Sequence, residues 1–242
     1  MWAQHELGFL LEKGKFVSSP TLTRQPAAGN RLRMSFFITG TDTGVGKTYV
    51  TRLILEHLRA EGIDAVGYKP VACGDREDAS ILAEASGGLE LDVVNPVYFR
   101  TPVAPLVAGM LENRTVDPAE LLAGFRRLAI AHGRVIVEGA GGWEVPLAPG
   151  YRISDLAADL ALPVVVVAGN RLGALNHILL TIAAIRAKGL DCAGIVLNQL
   201  EDEMDTAMIT NKGVVEELTG VPLLDHVIHG QDFLDVEAFL KI

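Results

Sequence analysis

The sequence has two cysteines in 242 residues, Cys73 and Cys192, which excludes a small scaffold stapled by disulfides and fits a reducing cytoplasm. It has no long hydrophobic run: the longest, Leu160 to Ala168, falls well short of the ~20 residues that span a bilayer, so no segment reads as transmembrane. Positive charge is scarce, with 21 basic against 30 acidic residues, a net charge of −9, and no basic cluster to offset that balance. Binding to nucleic acid through general electrostatics is thereby excluded, and any phosphate must be held by a local site. Internal repeats and low-complexity segments are absent as well. What is present, 49% hydrophobic residues and 25 glycines, can bury a substantial core and suits one α/β domain better than two.

Residues 1–33 differ in character from the rest of the chain. Ser, Thr, Pro, Ala and Gly cluster between Ser18 and Gly29, there is no clean secretory hydrophobic region, and Met34 stands directly before the first apolar run. Arg24, Arg31 and Arg33 lie in a region without acids, as in a transit peptide, but Glu6 and Glu12 argue against that reading. Residues 1–33 are therefore expected to be a flexible leader outside the fold, and 34–242 a single domain.

The stretch "FFITGTDTGVGKTYV", Phe36 to Val50, nearly fits the phosphate-loop pattern of glycine, four free residues and Gly-Lys-Thr, but Gly40 comes one residue too early. The physical requirement is a strand feeding a loop that curls around an anion, with a helix N-terminus behind it. Ser35 to Ile38 reads as the strand. Gly40, Gly44 and Gly46 free the loop, and Val50, Leu53, Ile54 and Leu58 have the spacing of an amphipathic helix opened by Lys47 and Thr48. In that context Lys47 reaches the β- and γ-phosphates and the Thr48 hydroxyl ligates Mg2+.

Apolar runs at Ala65 to Tyr68, Val135 to Val137, Val164 to Ala168 and Ile195 to Leu197 read as buried parallel strands. Helical patterns intervene at Ala79 to Ala85, Ala119 to Ala131, Asp155 to Leu160 and Leu175 to Lys188. This β-α-β alternation predicts a doubly wound, mostly parallel sheet in a three-layer α/β/α arrangement like that of P-loop NTPases, with ligands at the carboxyl ends of the strands. Three polar residues stand at those ends. Lys69 closes the second run before Pro70; Glu138 closes "RVIVEGAGG"; Asp78 precedes a helical pattern either as its cap or with its carboxylate toward the loop. Mg2+ bound to nucleotide phosphates takes one or two carboxylates and a hydroxyl, which Thr48, Asp78 and Glu138 supply, with Asp75 and Glu77 as rivals to Asp78.

The blocks "TGTDTGVGKT", "GYKPVACG", "VEGAGGWEVPL" and "GNRLGALNH", followed by "GIVLNQ", resemble in order and approximate spacing the dethiobiotin synthetases, ATP-dependent enzymes of biotin biosynthesis. The resemblance runs from Met34 to about Pro222, and the extra residue after Gly40 is that family's own variant of the loop. It implies an ATP- and Mg2+-dependent ring closure in which CO2 and 7,8-diaminopelargonate form a carbamate. The carbamate attacks the γ-phosphate to give a carbamic-phosphoric anhydride, and the second amine displaces phosphate. By resemblance, Gly44, Val45, Gly46, Lys47, Thr48, Tyr49 and Glu138 bind the nucleotide, and Asn198 reads adenine. Thr43, Lys47 and Lys69 meet the reacting groups, while Cys73, Gly141 and Gly142 line the substrate site. Asn176, which also reads as a helix cap before Ile178, is expected to bind the substrate's carboxylate across a homodimer interface. Cys73 replaces a common serine, and Asp225 stands where the family usually has glycine in the wall of the purine pocket. Two rivals share the motif: a partner-regulated switch ATPase, which usually has a lysine where Asp42 stands, and the ATP domain of a cobyrinate-type synthetase, whose glutaminase has no room after Thr219.

Overall fold

The computed structural model describes residues 35–242. The leader expected over residues 1–33, and Met34, lie outside the described residues.

Six strands, β1 (Phe36–Gly40), β2 (Ala65–Tyr68), β5 (Arg134–Gly142), β8 (Val164–Gly169), β9 (Cys192–Asn198) and β10 (Leu223–Val227), form one sheet in the order β10-β9-β8-β1-β5-β2. Every neighbouring pair is parallel. The near-continuous apolar runs follow from burial on both faces. Side chains alternate along β1: Phe36 and Ile38 pack with Leu53 and Ile54 of α1 (Lys47–Ala60) and Leu82 of α2 (Glu77–Ala85). Phe37 faces the other way, into a core with Phe125 of α5 (Pro118–Ala131), Leu156 of α6 (Ile153–Leu160) and Ile178 and Ile182 of α7 (Ala174–Ala187). The expected three layers result.

Between β2 and α5 the chain makes a small parallel pair, β3 (Val71–Cys73) with β4 (Val97–Phe99), joined through α2 and the single turn α3 (Leu91–Val94), and then α4 (Pro105–Leu111). After β5 comes a two-stranded antiparallel hook, β6 (Pro146–Ala148) with β7 (Tyr151–Arg152). Neither pair was expected from the sequence. Nor was α8 (Thr206–Thr219), whose two early threonines and Gly213 weaken its pattern; Asp205 caps it by accepting from the Met208 N–H, and Gly220 closes it at φ 64°. The edge strand β10 was hidden by Asp225 and His226.

Two cap assignments change. The cap of α7 is Gly173, at φ 89°, and Asn176 lies inside the first turn. The cap of α2 is Arg76, which leaves Asp78 in the first turn and its carboxylate free for the loop.

Candidate active site

The segment between β1 and α1 wraps back over the carboxyl end of the sheet. Gly44 and Gly46 take φ values of 74° and 83°, which side chains with a Cβ rarely adopt. Gly40 is required for a different reason: a Cβ there would lie 2.6 Å from the Asp42 carbonyl oxygen and 3.0 Å from Lys47 Nζ. Behind the loop, the first N–H groups of α1, on Lys47, Thr48 and Tyr49, have no partner within the helix, because its ladder begins with Val50 N–H donating to the Gly46 carbonyl at 3.0 Å. These donors and the helix dipole make an anion cradle.

Beside the cradle lies a cluster of buried charge. Glu138, fully buried midway along β5, which runs on through the glycines to Gly142 and does not close at the glutamate, uses one oxygen, Oε1, to accept from both Lys69 Nζ at 2.6 Å and the Thr48 hydroxyl at 2.7 Å. Lys69 Nζ also donates to Asp78 Oδ2 at 2.7 Å. The other Glu138 oxygen, Oε2, is buried without a hydrogen-bond partner among the described residues. Lys47 extends along the loop and donates from Nζ to the Asp42 carbonyl at 3.2 Å. Two ammonium groups thus face two carboxylates at one sheet edge. Burial, and then the charge of Lys69, pull the Lys47 ammonium down to about 8 against the opposing acids. For Lys69 burial acts in the same sense, but Glu138 and Asp78 outweigh it and hold its pKa above that of an ordinary lysine. Asp78 is the mirror case: burial raises its pKa, and Lys69 more than reverses the effect.

Two clefts of about 430 Å³ each open from this rim. The first is lined by Thr43, Lys69, Cys73, Asp75, Asp78 and Gly141, with an apolar wall from Pro102 to Pro105. The second lies between the loop, the Gly142 to Pro146 segment and Leu180, Thr181 and Ala184 of α7. Thr43 lines both. Gly141, at φ 65°, brings the end of β5 against it, since a Cβ there would meet the Thr43 hydroxyl oxygen at 3.2 Å. The half-buried Cys73 thiol is pushed up to about 11 by burial, so it lines the cleft as a neutral group.

The structure therefore brings Thr43, Gly44, Val45, Gly46, Lys47, Thr48, Lys69, Cys73, Asp78, Glu138, Gly141 and Gly142 to one rim. Among the three candidate acids it sets Asp78 on Lys69, whereas Asp75 accepts from the Glu77 N–H at 3.1 Å. Tyr49 has its backbone N–H in the cradle, while its hydroxyl donates to the Gln231 carbonyl. Asn198 sits under the loop: its Nδ2 donates to the Val45 carbonyl at 3.0 Å and occupies the space a Cβ on Gly46 would need. Asn176 is exposed on α7 and lines neither cleft within one chain. Sequence reasoning missed Asp42, whose Oδ1 accepts from the Thr43 N–H at 2.7 Å and whose carbonyl receives Lys47. The Asp-Thr-Gly turn pattern was its signal. It also missed the Pro102 to Pro105 wall, signalled by two prolines three residues apart.

A glycine cradle at a helix N-terminus, with a buried lysine and a helix-borne hydroxyl, on a parallel three-layer sheet, defines a P-loop nucleotide-binding protein. The model of an AAA domain matches residues 34–230. The fold resembles that of the septum site-determining protein MinD, complexed with Mg-ADP, from Pyrococcus horikoshii, with a TM-score of 0.53 at 15% identity over 86% of this chain and 94% of that one. Sequence is more specific. The chain is 53% identical over 208 residues to the ATP-dependent dethiobiotin synthetase of Akkermansia muciniphila, covering 86% of this chain and 98% of that protein. It is 44% identical over 210 residues to the enzyme of the same name from an Anaeromyxobacter species, covering 85% and 94%. The chain belongs to the ATP-dependent dethiobiotin synthetase family.

Proposed function

We propose that the protein closes the ureido ring of dethiobiotin from 7,8-diaminopelargonate, CO2 and ATP, and that residues 34–242 form one catalytic domain, in the cytoplasm. The observation that carries this reading is the junction at Glu138, where a buried carboxylate links the Thr48 hydroxyl of the nucleotide loop to the Lys69 ammonium of the adjoining cleft. Nucleotide and acceptor thus meet at one point.

The reaction joins anions. A carbamate formed from CO2 and one amine of the diamine attacks the γ-phosphorus of ATP, breaking the bond to ADP. The second amine then attacks the carbamoyl carbon of the mixed anhydride, and phosphate leaves as the cyclic urea forms. Such a sequence needs chiefly charge neutralisation and alignment. Lys47 and the N–H groups of Gly44 to Tyr49 hold the phosphates. Lys69 lies between the loop and the first cleft, where its ammonium offsets charge on the carbamate and the γ-phosphate. Thr43, Cys73, Gly141 and Gly142 line the path of the diamine. Asn198 supports the loop from below and is assigned to adenine.

Mg2+ fits the donor set. Glu138 Oε2 is a buried carboxylate oxygen without a partner among the described residues, the Thr48 hydroxyl donates to the other oxygen of that carboxylate, and Asp78 joins the cluster through Lys69. Mg2+ supplies charge neutralisation on the phosphates when bound there. The assembly is a homodimer in which α7 of one chain reaches the partner's cleft: Leu172, just before α7, and Asn176 and Leu180 on it form an exposed, partly apolar stripe, and Leu180 already lines the second cleft.

Phosphate release from ATP, measured with and without 7,8-diaminopelargonate and bicarbonate, tests the reading. Release should depend on both, and release indifferent to the diamine would favour a partner-driven ATPase. Sedimentation should show a dimer, and Asn176→Ala should raise the KM for the diamine more than that for ATP; unchanged diamine kinetics would remove Asn176 from the site.

A further inference from the structure

Lys69 and Asp78 are nine residues apart, separated by a proline, a strand and a glycine turn, yet their charged atoms lie 2.7 Å from each other. Nothing in that intervening segment fixes such an approach by itself. The fixed point is Asn95, fully buried after α3. Its Nδ2 donates to the Lys69 carbonyl at 2.8 Å and to the Val97 carbonyl at 3.1 Å, and its Oδ1 accepts from Arg76 Nε at 3.0 Å. Its own carbonyl accepts from the second arm of the same guanidinium at 2.7 Å. One amide therefore ties the backbone of Lys69 to the cap residue of the helix that carries Asp78.

Arg76 is itself held by two further contacts, one of which leads on to the turn before α2. Its guanidinium lies 5.0 Å over the Tyr98 ring, pairs with Asp92 at 3.0 Å, and through the Tyr98 hydroxyl, which donates to the Gly74 carbonyl at 2.6 Å, connects to the turn before α2. The Lys69 N–H adds a bond to the Val94 carbonyl at 2.9 Å. Asn95 uses both amide hydrogens and its oxygen, so the amide is fully engaged, and the fork of Arg76 meets two acceptors of one residue, which an ammonium cannot match.

We infer that the Arg76–Asn95 pair is a positioning clasp that sets the carboxylate of Asp78 against the ammonium of Lys69 and so presents both to the nucleotide. Neither residue lines the clefts. The inference rests on the proposed roles of Lys69 and Asp78, and its test separates the two.

Arg76→Ala and Arg76→Lys are compared with wild type and with Asp78→Ala, using full-length protein. Amide hydrogen exchange over residues 69–78 reads the clasp itself; the Mg2+ concentration for half-maximal turnover, kcat and the KM for the diamine read its purpose. In Arg76→Ala, exchange of that segment should quicken at least tenfold while that of α1 stays unchanged. The Mg2+ requirement should rise about tenfold and kcat should fall by ten- to a hundredfold, with the KM for the diamine within twofold. Arg76→Lys, which reaches one acceptor at a time, should fall between. Unchanged exchange in Arg76→Ala overturns the clasp whatever the kinetics. Quickened exchange with unchanged Mg2+ dependence and kcat overturns its positioning role and leaves a purely structural contact. A fully active Asp78→Ala overturns instead the assignment of Asp78 to the site.

Discussion

The carboxyl edge of the sheet is built in two ways. On the side of β5 and β2 the buried polar groups that face the clefts are ions, Lys47, Lys69 and Glu138, with Asp78 beside them and the Asn95 amide behind. On the side of β8, β9 and β10 they are mainly neutral amides. Asn170 donates from Nδ2 to the Met208 carbonyl at 3.0 Å and pairs with His226 Nε2 at 3.2 Å, Asn211 donates to Asn170 Oδ1 at 2.9 Å, and Asn198 holds the loop at Val45. Buried ions are retained at a large desolvation cost, which pure stability would not select, whereas buried amides that bond one another hold a shape with no net charge. On the proposed function the ionic side meets charge that arrives with substrate, and the amide side is a frame.

Substitutions should separate the two sides by which measurement they move. The largest effect belongs to the ionic side. Lys47→Ala and Glu138→Ala should each lower kcat by about 10³-fold or more, as loss of a preorganised charge contact does in phosphoryl transfer. Near-normal turnover in either would remove that residue from the site. Breaking a buried ion cluster also leaves an unpaired partner, so circular dichroism should confirm that Glu138→Ala is folded before the rate is read.

On both sides burial lowers the pKa of a base, but the two should be felt in different measurements and on opposite sides of neutrality. With the free protein's Lys47 near 8, ATP binding above that pH must return a proton to the ammonium. Calorimetry in buffers of different ionisation enthalpy should show proton uptake at pH 8.5 to 9 and little at pH 7, and Lys47→Met should abolish it. Affinity for ATP accordingly falls as pH rises through about 8. On the amide side burial lowers the pKa of His226, so the unfolded chain binds the proton more readily. That contribution to stability is complete above about pH 6.5 and is lost as pH falls toward the folded value. Equal acid sensitivity in His226→Gln would remove His226 as its source.

How legible these two sides were in the sequence differs for the same reason. The residues gathered on the ionic side were mostly conspicuous in the sequence, because a lysine and a glutamate after apolar runs stand out beside a glycine loop, and the four central strands carry runs of Val, Ile, Leu and Phe. Register within that cluster was not readable: Asp75, Glu77 and Asp78 are close in sequence, and only the position of the α2 cap at Arg76 decides which carboxylate turns inward. The amide side was mostly invisible. Asn170, Asn211 and His226 come from three distant elements, one of them the unexpected α8, and an asparagine in sequence is as often a turn or a cap. The glycine at the start of α7 likewise displaced the cap expected at Asn176, since a left-handed residue before a helix leaves no trace in apolar spacing.

Asn170→Ala should therefore behave unlike Lys47→Ala. It removes the second donor to the Met208 carbonyl, which keeps its bond within α8, and leaves one Asn211 amide hydrogen without its acceptor, which costs about 1–3 kcal/mol in denaturant unfolding. Its kcat should stay within about twofold, because no charge facing the phosphates is touched. A loss of kcat as large as that of Glu138→Ala, with stability unchanged, would place the amide side in the chemistry and erase the distinction.

The smallest expected effect lies at the boundary between the cleft and the ions. Cys73 lines the first cleft with Lys69, and with its thiol near 11 it is a weak donor beside a strongly charged neighbour. Cys73→Ser is nearly isosteric and exchanges that weak donor for a hydroxyl, so a carbamate held beside Lys69 gains a neutral hydrogen bond worth about 0.5–1.5 kcal/mol. The KM for the diamine should fall by roughly two- to tenfold, with the KM for ATP and the unfolding midpoint unchanged. A change confined to the KM for ATP would mean that Cys73 faces the nucleotide, and the ionic side would then extend across the cleft and not end at Lys69.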